Sequence, residues 1–363
     1  MYNEEKKRVQ VQMIALDKML DVDVVMPTEK EVSQGDSKIM YWGVDNTFPE
    51  YLNRLKEGST TLSTIIAGCV DYATGNEVTI DRQIGSFIRN VVNRKGEDIR
   101  ELARFAFEDY FTYGGFALQV IRDFNGEVAD IYNVDLRDLR SNPDGDVFYY
   151  SEEWGRKYSR KDKVIVYPAF MPEGKTASSI LYVRNSHRGV YPTAFAGAVD
   201  TLKACETEMA ISDYHINSIS NGFMGSAIIK FNNGQPDAEQ KEEIERDINE
   251  KFAGNRNGGR MLVTFADDKD HNAEVQLLDI QDYGDKFTTL QKTVRQTIFT
   301  AFRGNPNLFG IPTDSLGFSA EEYESAFRLF NRTMIAPAQK MFTDAFTKIF
   351  KQENVVSITP FSI

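Results

Sequence analysis

Cysteine and histidine are scarce in this chain. Among its 363 residues are two cysteines, Cys69 and Cys205, far apart and in no C-x-x-C pair. Both are expected to be buried free thiols, and they exclude a disulfide framework and a thiolate zinc site. Only three histidines occur, His187, His215 and His271, and none stands in a catalytic motif. No G-x-S-x-G nucleophile elbow and no Walker A phosphate loop is present. No run of about 18 apolar residues occurs, so no membrane-spanning helix is expected. The first ten residues are charged and lack the apolar stretch of a secretory signal, so a soluble protein made in a cytoplasm is expected. An excess of positive charge is missing too. Asp and Glu number 54 against 42 Lys and Arg, a net charge of -12. Such a field repels phosphate and excludes tight nonspecific binding to nucleic acid. It suits a surface that DNA passes without sticking.

Little chemistry survives these absences. Asp267, Asp268, Asp270 and His271 lie close enough to be metal ligands. The run contains Lys269 and lacks the Gly and terminal Glu of a calcium loop, so it is expected to be a solvated acidic hairpin. The glycine-rich stretch 254–260 precedes a strand pattern, whereas phosphate loops precede a helix N-terminus, so it is expected to be a flexible loop. His187 sits in a loop beside Arg184 and Arg188, and His215 falls in a helix among apolar neighbours as a packed or capping residue.

The pattern that is present is an organisation. Composition is 41% hydrophobic and 26% charged, enough core for two or more units. Residues 1–40 read as an arm followed by loop, with a turn at Gly35-Asp36. Helices are expected over 50–57 and 60–73, the second ending at Gly75, and a short strand over 78–80. Asp98 opens an amphipathic helix that Gly114-Gly115 stops. Strands follow over 116–122, 128–134, 147–150 and 164–167. Asn125-Gly126 is expected to make a type I′ turn, and Asn142-Pro143-Asp144-Gly145 a second turn. Residues 98–182 thus form an α+β unit with an antiparallel sheet.

From Pro192 to about Asn221 the spacing predicts one long helix of ~45 Å at ~1.5 Å per residue. A small α/β lobe follows, with strands at 226–231, 261–265 and 275–280 and a polar helix over 238–252 capped by Asp237. A second long helix runs from about Tyr283 to the Gly304-Asn305-Pro306 break. The segment 304–319 carries three Gly and two Pro and cannot be helical throughout. A third helix spans 320–350 with a kink expected at Pro337, and a last strand covers 355–358. Long connections without secondary structure tend to be functional, which draws attention to 304–319.

The order of these pieces resembles the portal (connector) proteins of tailed bacteriophages, over about residues 41–350. Three stretches carry the resemblance: Gly189-Val190-Tyr191-Pro192 leading into a helix that ends His215-Ile216-Asn217-Ser218-Ile219-Ser220-Asn221-Gly222; Thr300-Ala301-Phe302-Arg303 followed by Phe309-Gly310-Ile311-Pro312; and Phe318-Ser319-Ala320-Glu321-Glu322-Tyr323 followed by a helix with Ile335-Ala336-Pro337. Tyr113-Gly114-Gly115-Phe116-Ala117 and Val166-Tyr167-Pro168 fit as well.

The resemblance implies an α+β portal-like fold. Its parts would be an arm (1–40), a wing (41–190), a stem helix (191–222), a clip (223–281), a second stem helix (282–303), a tunnel loop (304–319), and a long helix returning to the wing with a final strand (320–363). The helical crown would be short or missing. The tunnel loop would place Asn305, Asn307, Leu308, Phe309, Ile311, Thr313, Ser315, Leu316 and Phe318 at a DNA channel. Acidic stem residues Asp200, Glu206, Glu208 and Asp213 would line that channel. Clip residues Glu239, Lys241, Glu242, Glu245, Arg246 and Glu250 would dock a packaging motor and later a tail adaptor.

The resemblance also implies a homo-oligomeric ring, usually of twelve subunits, at one capsid vertex in the virion. Its partners would be the major capsid protein, the terminase large subunit, a head-tail adaptor and double-stranded DNA passing without sequence specificity. No cofactor, no metal and no catalysis of its own are expected. Two alternatives stay open: another virion ring component, such as a head-completion or minor head protein, and a metal-dependent hydrolase using Asp267, Asp270 and His271.

Overall fold

A computed structural model of the chain describes residues 10–12, 24–34, 37–81, 90–154, 164–186, 189–220, 227–231, 239–240, 243, 246, 261–265, 274–277, 283–311 and 319–361. In chain order its strands begin with β1 (Gln10–Gln12), β2 (Glu29–Gln34) and β3 (Ser37–Trp42). Helices α1 (Phe48–Gly58) and α2 (Thr60–Thr74), strand β4 (Glu77–Ile80) and helix α3 (Ile99–Tyr113) follow. Next come β5 (Gly115–Arg122), β6 (Val128–Val134), β7 (Leu139–Ser141), β8 (Val147–Tyr150), β9 (Ile165–Pro168) and β10 (Ser178–Arg184). Helix α4 (Val199–Ser220) leads to β11 (Ala227–Phe231), β12 (Met261–Phe265) and β13 (Glu274–Leu277). Helices α5 (Tyr283–Ala301), α6 (Ala320–Phe330) and α7 (Ala336–Phe350) and strand β14 (Val356–Thr359) complete the chain. The mixture is α+β, as expected.

The chain divides into two compact units, residues 1–22 with 207–293 and residues 23–206 with 294–363, the division falling within α4 and α5. In the first unit β11 and β12 pair in parallel, and β13 and β1 flank them antiparallel, giving the order β1-β12-β11-β13. A parallel pair needs a crossover connection, which the chain between 231 and 261 provides. Glu239, Gln240, Glu243 and Arg246 there are helical and exposed. The N-terminal stretch expected as an arm contributes β1, with Val11 opposite Thr264.

The second unit is built on α3. Asp98 accepts from the Glu101 amide at 2.8 Å while Glu101 returns the bond to the Asp98 amide at 3.0 Å, a complete capping box. Gly114 ends the helix at φ 91°, and a Cβ there would stand 2.2 Å from the Thr193 carbonyl oxygen, so only glycine fits. Leu102, Ala103, Ala106 and Phe107 on α3 are fully buried, as are Ile65 and Cys69 on α2. Phe342 of α7 joins them, with ring centroids 5.3 Å from Phe107 and 6.0 Å from Phe116 of β5. Two antiparallel sheets complete the unit's framework, β10-β5-β6 and β7-β8-β9, and β14 pairs with β4.

Several expectations need correction. Strands Glu29–Gln34 and Ser37–Trp42 pair antiparallel, with Ile39 and Trp42 buried, where an arm and loop were expected. The Asn125-Gly126 turn is not type I′. Only Gly126 has positive φ (84°), and the Asp123 carboxylate accepts from the amides of Asn125 and Glu127, so a type I turn ends in a glycine bulge. Asn142 and Gly145 repeat the device. The helix expected from Pro192 starts only at Val199, after a 3-10 turn at Phe195–Gly197. Its 22 residues span ~33 Å rather than ~45 Å. The irregularity expected at Pro337 lies one turn earlier, as a π segment at Asn331–Ile335. Proline cannot donate to the carbonyl four residues back, and the widened turn accommodates that loss.

Candidate functional site

The segment 304–319 is where sequence and resemblance meet, and its first half is ordered by packing. Helix α5 stops as Arg303 takes φ 51° and the Gly304 amide donates back to the Phe299 carbonyl at 3.1 Å. Asn305 caps a 3-10 turn, Pro306–Phe309, by accepting from the Asn307 amide at 3.0 Å. Gly310 closes it at φ 72°, and the Ile311 amide donates to the Pro306 carbonyl at 3.1 Å. Leu308 is only 5% exposed, and its carbonyl accepts from the Tyr72 hydroxyl at 2.6 Å. Phe309 lies on α2, where a Cβ on Gly68 would come within 2.5 Å of its ring. Its centroid is 5.6 Å from Phe299 and 5.6 Å from Phe330.

Leu308 is thus buried within this chain, and Phe309 packs on α2 while remaining half-buried. Asn305, Asn307 and Ile311 are half-buried. Thr313, Ser315, Leu316 and Phe318 lie outside the described residues. The Ser319 hydroxyl accepts from the Glu322 amide while the Glu322 carboxylate accepts from the Ser319 amide, a second capping box that starts α6.

The expected stem acids separate. Asp200, in the first turn of α4, and Asp213 are exposed, and Glu208 is half-buried. Glu206 is held by Arg54 of α1 at 2.5 Å, which neutralises it and removes it from the set of free carboxylates. Of the expected clip residues, Glu239 and Arg246 are exposed, and Arg246 pairs with Glu243 at 3.7 Å. Lys241, Glu242, Glu245 and Glu250 lie outside the described residues, as do Asp267, Asp268, Asp270, His187 and His271. His215 is exposed on α4, its ring 5.6 Å from Phe287. Among the described residues no three His, Cys, Asp or Glu side chains are grouped to hold a metal ion.

A buried acidic cluster went unpredicted. Asp109 of α3 lines a cavity of about 400 Å³ with Lys56, Tyr113, Asn133, Asp135 and Arg137. Its carboxylate accepts from the Asn133 amide nitrogen at 2.9 Å, and the Asn133 oxygen is left without a partner. Burial, and then the charge of Asp135, push the Asp109 carboxyl well above the usual range, against the Asn133 hydrogen bond. Asp138 is pushed up to about 6 by burial and Asp135. The signal was available: Asp109 stands in the apolar stripe of Leu102, Ala106 and Tyr113.

A carboxyl with a raised folded-state pKa holds its proton where the unfolded chain has lost it. Its stabilising contribution is complete at low pH and is lost as pH rises from the ordinary carboxylate range through the folded value. Asp109→Asn removes that loss, and its amide nitrogen complements the orphan Asn133 oxygen. Thermal denaturation is expected to show a stability gain for Asp109→Asn that grows as pH rises above the ordinary carboxylate range. A difference independent of pH would contradict this.

The model of the family described as phage portal protein matches residues 74–359. No curated protein matches the chain in sequence. Among solved structures, the chain is similar to one from the neck of an empty gene transfer agent (GTA) particle computed with C6 symmetry. That match has 15% identity over 86% of this chain and 84% of that one, with a TM-score of 0.55. A chain from the neck of the native GTA particle computed with C12 symmetry matches at 15% identity over 86% and 84%, with a TM-score of 0.50. Identities this low show the fold alone. An HK97 family phage portal protein from Corynebacterium diphtheriae, 12% identical over 85% of this chain and 94% of that one, reaches a TM-score of 0.45, too low to argue from. The family match, residues 74–359, covers well over half of the sequence: the chain belongs to the phage portal protein family.

Proposed function

We propose that this portal protein is the subunit of a closed ring at one vertex of a phage-type particle, where double-stranded DNA passes during packaging and ejection. The family match over residues 74–359 carries the proposal. The net charge of -12 supports it, because a passage for DNA must not hold phosphate. Twelve subunits is the proposed number, the symmetry with which the native GTA neck was computed. Heterologous contacts repeated around an axis close a ring when the rotation is right.

The parts take the roles the resemblance implies. The α1–α3 and β4–β10 unit is the wing, α4 and α5 are the stem, and the β11–β13 lobe is the clip that receives the terminase and then the head-tail adaptor. The segment 304–319 borders the passage, with Asp200 and Asp213 as the exposed acids of α4. The ring is a component of the virion, contacts the major capsid protein, and works without catalysis of its own, the terminase supplying ATP hydrolysis. Negative-stain imaging of the purified chain is expected to show rings with a central hole. A monomer that persists at high concentration would sink the proposal.

A further inference from the structure

One side chain on α2 touches both flanks of the 304–319 segment. The Tyr72 hydroxyl donates to the Leu308 carbonyl at 2.6 Å, in the turn before the segment's second half. On the other side stands α6, the helix that follows the segment. The Tyr72 ring meets Phe309 edge-on at 6.2 Å on the first flank, and Phe327 and Phe330 at 5.6 Å and 5.8 Å on the second. Phe361, after β14, closes the group at 6.1 Å. The surroundings hold α2 in place: Gly68 leaves no room between helix and Phe309, and the Gln339 side chain donates to the Ala73 carbonyl at 3.0 Å. Burial pushes the phenol's pKa up, so it remains a neutral donor.

We propose that Tyr72 is a positioning residue that staples both flanks of the 304–319 segment to α2, fixing where the chain leaves the packed unit and where it returns. Any consequence for DNA rests on the proposed place of that segment beside the passage; the staple itself is judged apart from it. The hydroxyl holds the first flank and the ring holds both, so one side chain fixes two stretches to a single point. Phe309 and Phe330 also touch each other, so the aromatic cluster survives loss of the hydroxyl. Tyr72→Phe therefore isolates the hydrogen bond to Leu308, and Tyr72→Leu removes the ring contacts as well.

The test compares the full chain with its Tyr72→Phe and Tyr72→Leu variants by hydrogen exchange of peptides covering 306–311 and 320–326, with α3 as internal reference. Nuclease-protected DNA is measured in particles assembled with each. Tyr72→Phe is expected to speed exchange roughly five- to tenfold in 306–311 while α3 keeps its protection. Tyr72→Leu, which also removes the ring, extends the loosening to 320–326, and protected DNA falls in both. Exchange unchanged at the flanks, or raised equally in α3, overturns the staple. Looser flanks with undiminished DNA uphold the staple and count against the segment's place beside the passage.

Discussion

Arg140→Ala is expected to destabilise the unit of residues 23–206 and 294–363 by about 3–5 kcal/mol. Arg140 is fully buried, and its guanidinium donates to the Asn46 side chain, the Asn46 carbonyl, and the carbonyls of Arg137 and Leu139. Its planar face lies over Trp154 at 5.3 Å. The nearest carboxylate, Glu50, stands off at 3.9 Å, so neutral acceptors carry most of the compensation for the buried charge. Burial lowers the pKa of the guanidinium, but the group is far too basic to shed its proton in this way. Truncation takes a donor from four acceptors, of which the Asn46 side-chain oxygen keeps the Trp42 amide, and leaves an empty space beside Trp154; a buried orphan costs more than its hydrogen bond contributes net.

Asn46 is itself special. It holds φ 68°, which asparagine tolerates better than most residues, and its side chain also accepts from the Trp42 amide. Arg140 therefore ties β7 to the link between β3 and α1, and removing it frees two elements together. Lysine cannot replace the fork, so Arg140→Lys is expected to recover little. Urea denaturation followed by circular dichroism gives the measurement, and an alanine variant within about 1 kcal/mol of the parent would refute the argument.

Arg140 also marks what the sequence could not reveal. The helix starts at Asp98 and Ala320, the glycine stops at Gly75 and Gly114 and the strands β5, β6, β8 and β12 are local, and the residue pattern located them. The β2–β3 pair is polar along β2, and its place depends on Ile39 and Trp42 being buried by distant residues, with Tyr191 stacked on Trp42 at 4.5 Å. The pairing of β1 with β12 joins residues about 250 positions apart, beyond any periodic signal. At the candidate site, glycine and proline content identified 304–319 as a break. Which of its apolar residues pack was not legible, because Leu308 and Phe309 find their partners on α2, more than 230 residues earlier in the chain. Asp109 was legible in part. An acid in an apolar stripe signals a buried charge, but its neighbours Asn133 and Asp135 come from a strand and a loop that only the fold brings near.

Excision of residues 312–318, with Ile311 joined to Ser319 through a short Gly-Ser linker, is expected to leave rings intact and to reduce nuclease-protected DNA to the level of particles made without the portal protein. The boundaries follow from the packing. A cut from Leu308 would remove the carbonyl that Tyr72 binds and the ring that covers Gly68, and any defect would then be ambiguous between folding and function. The narrower cut keeps the 3-10 turn with its Asn305 cap, and it keeps the Ser319 capping box that starts α6. Shortening a connection between fixed ends changes closure entropy by only about 0.6 kcal/mol per twofold change in length, so thermal stability is expected to hold. A stable ring that fails to retain DNA then isolates a role for 312–318 in the passage. Full DNA retention by the excised ring would show that this segment does not contact DNA in any way that packaging requires, and the channel assignment would pass to the exposed acids of α4, Asp200 and Asp213.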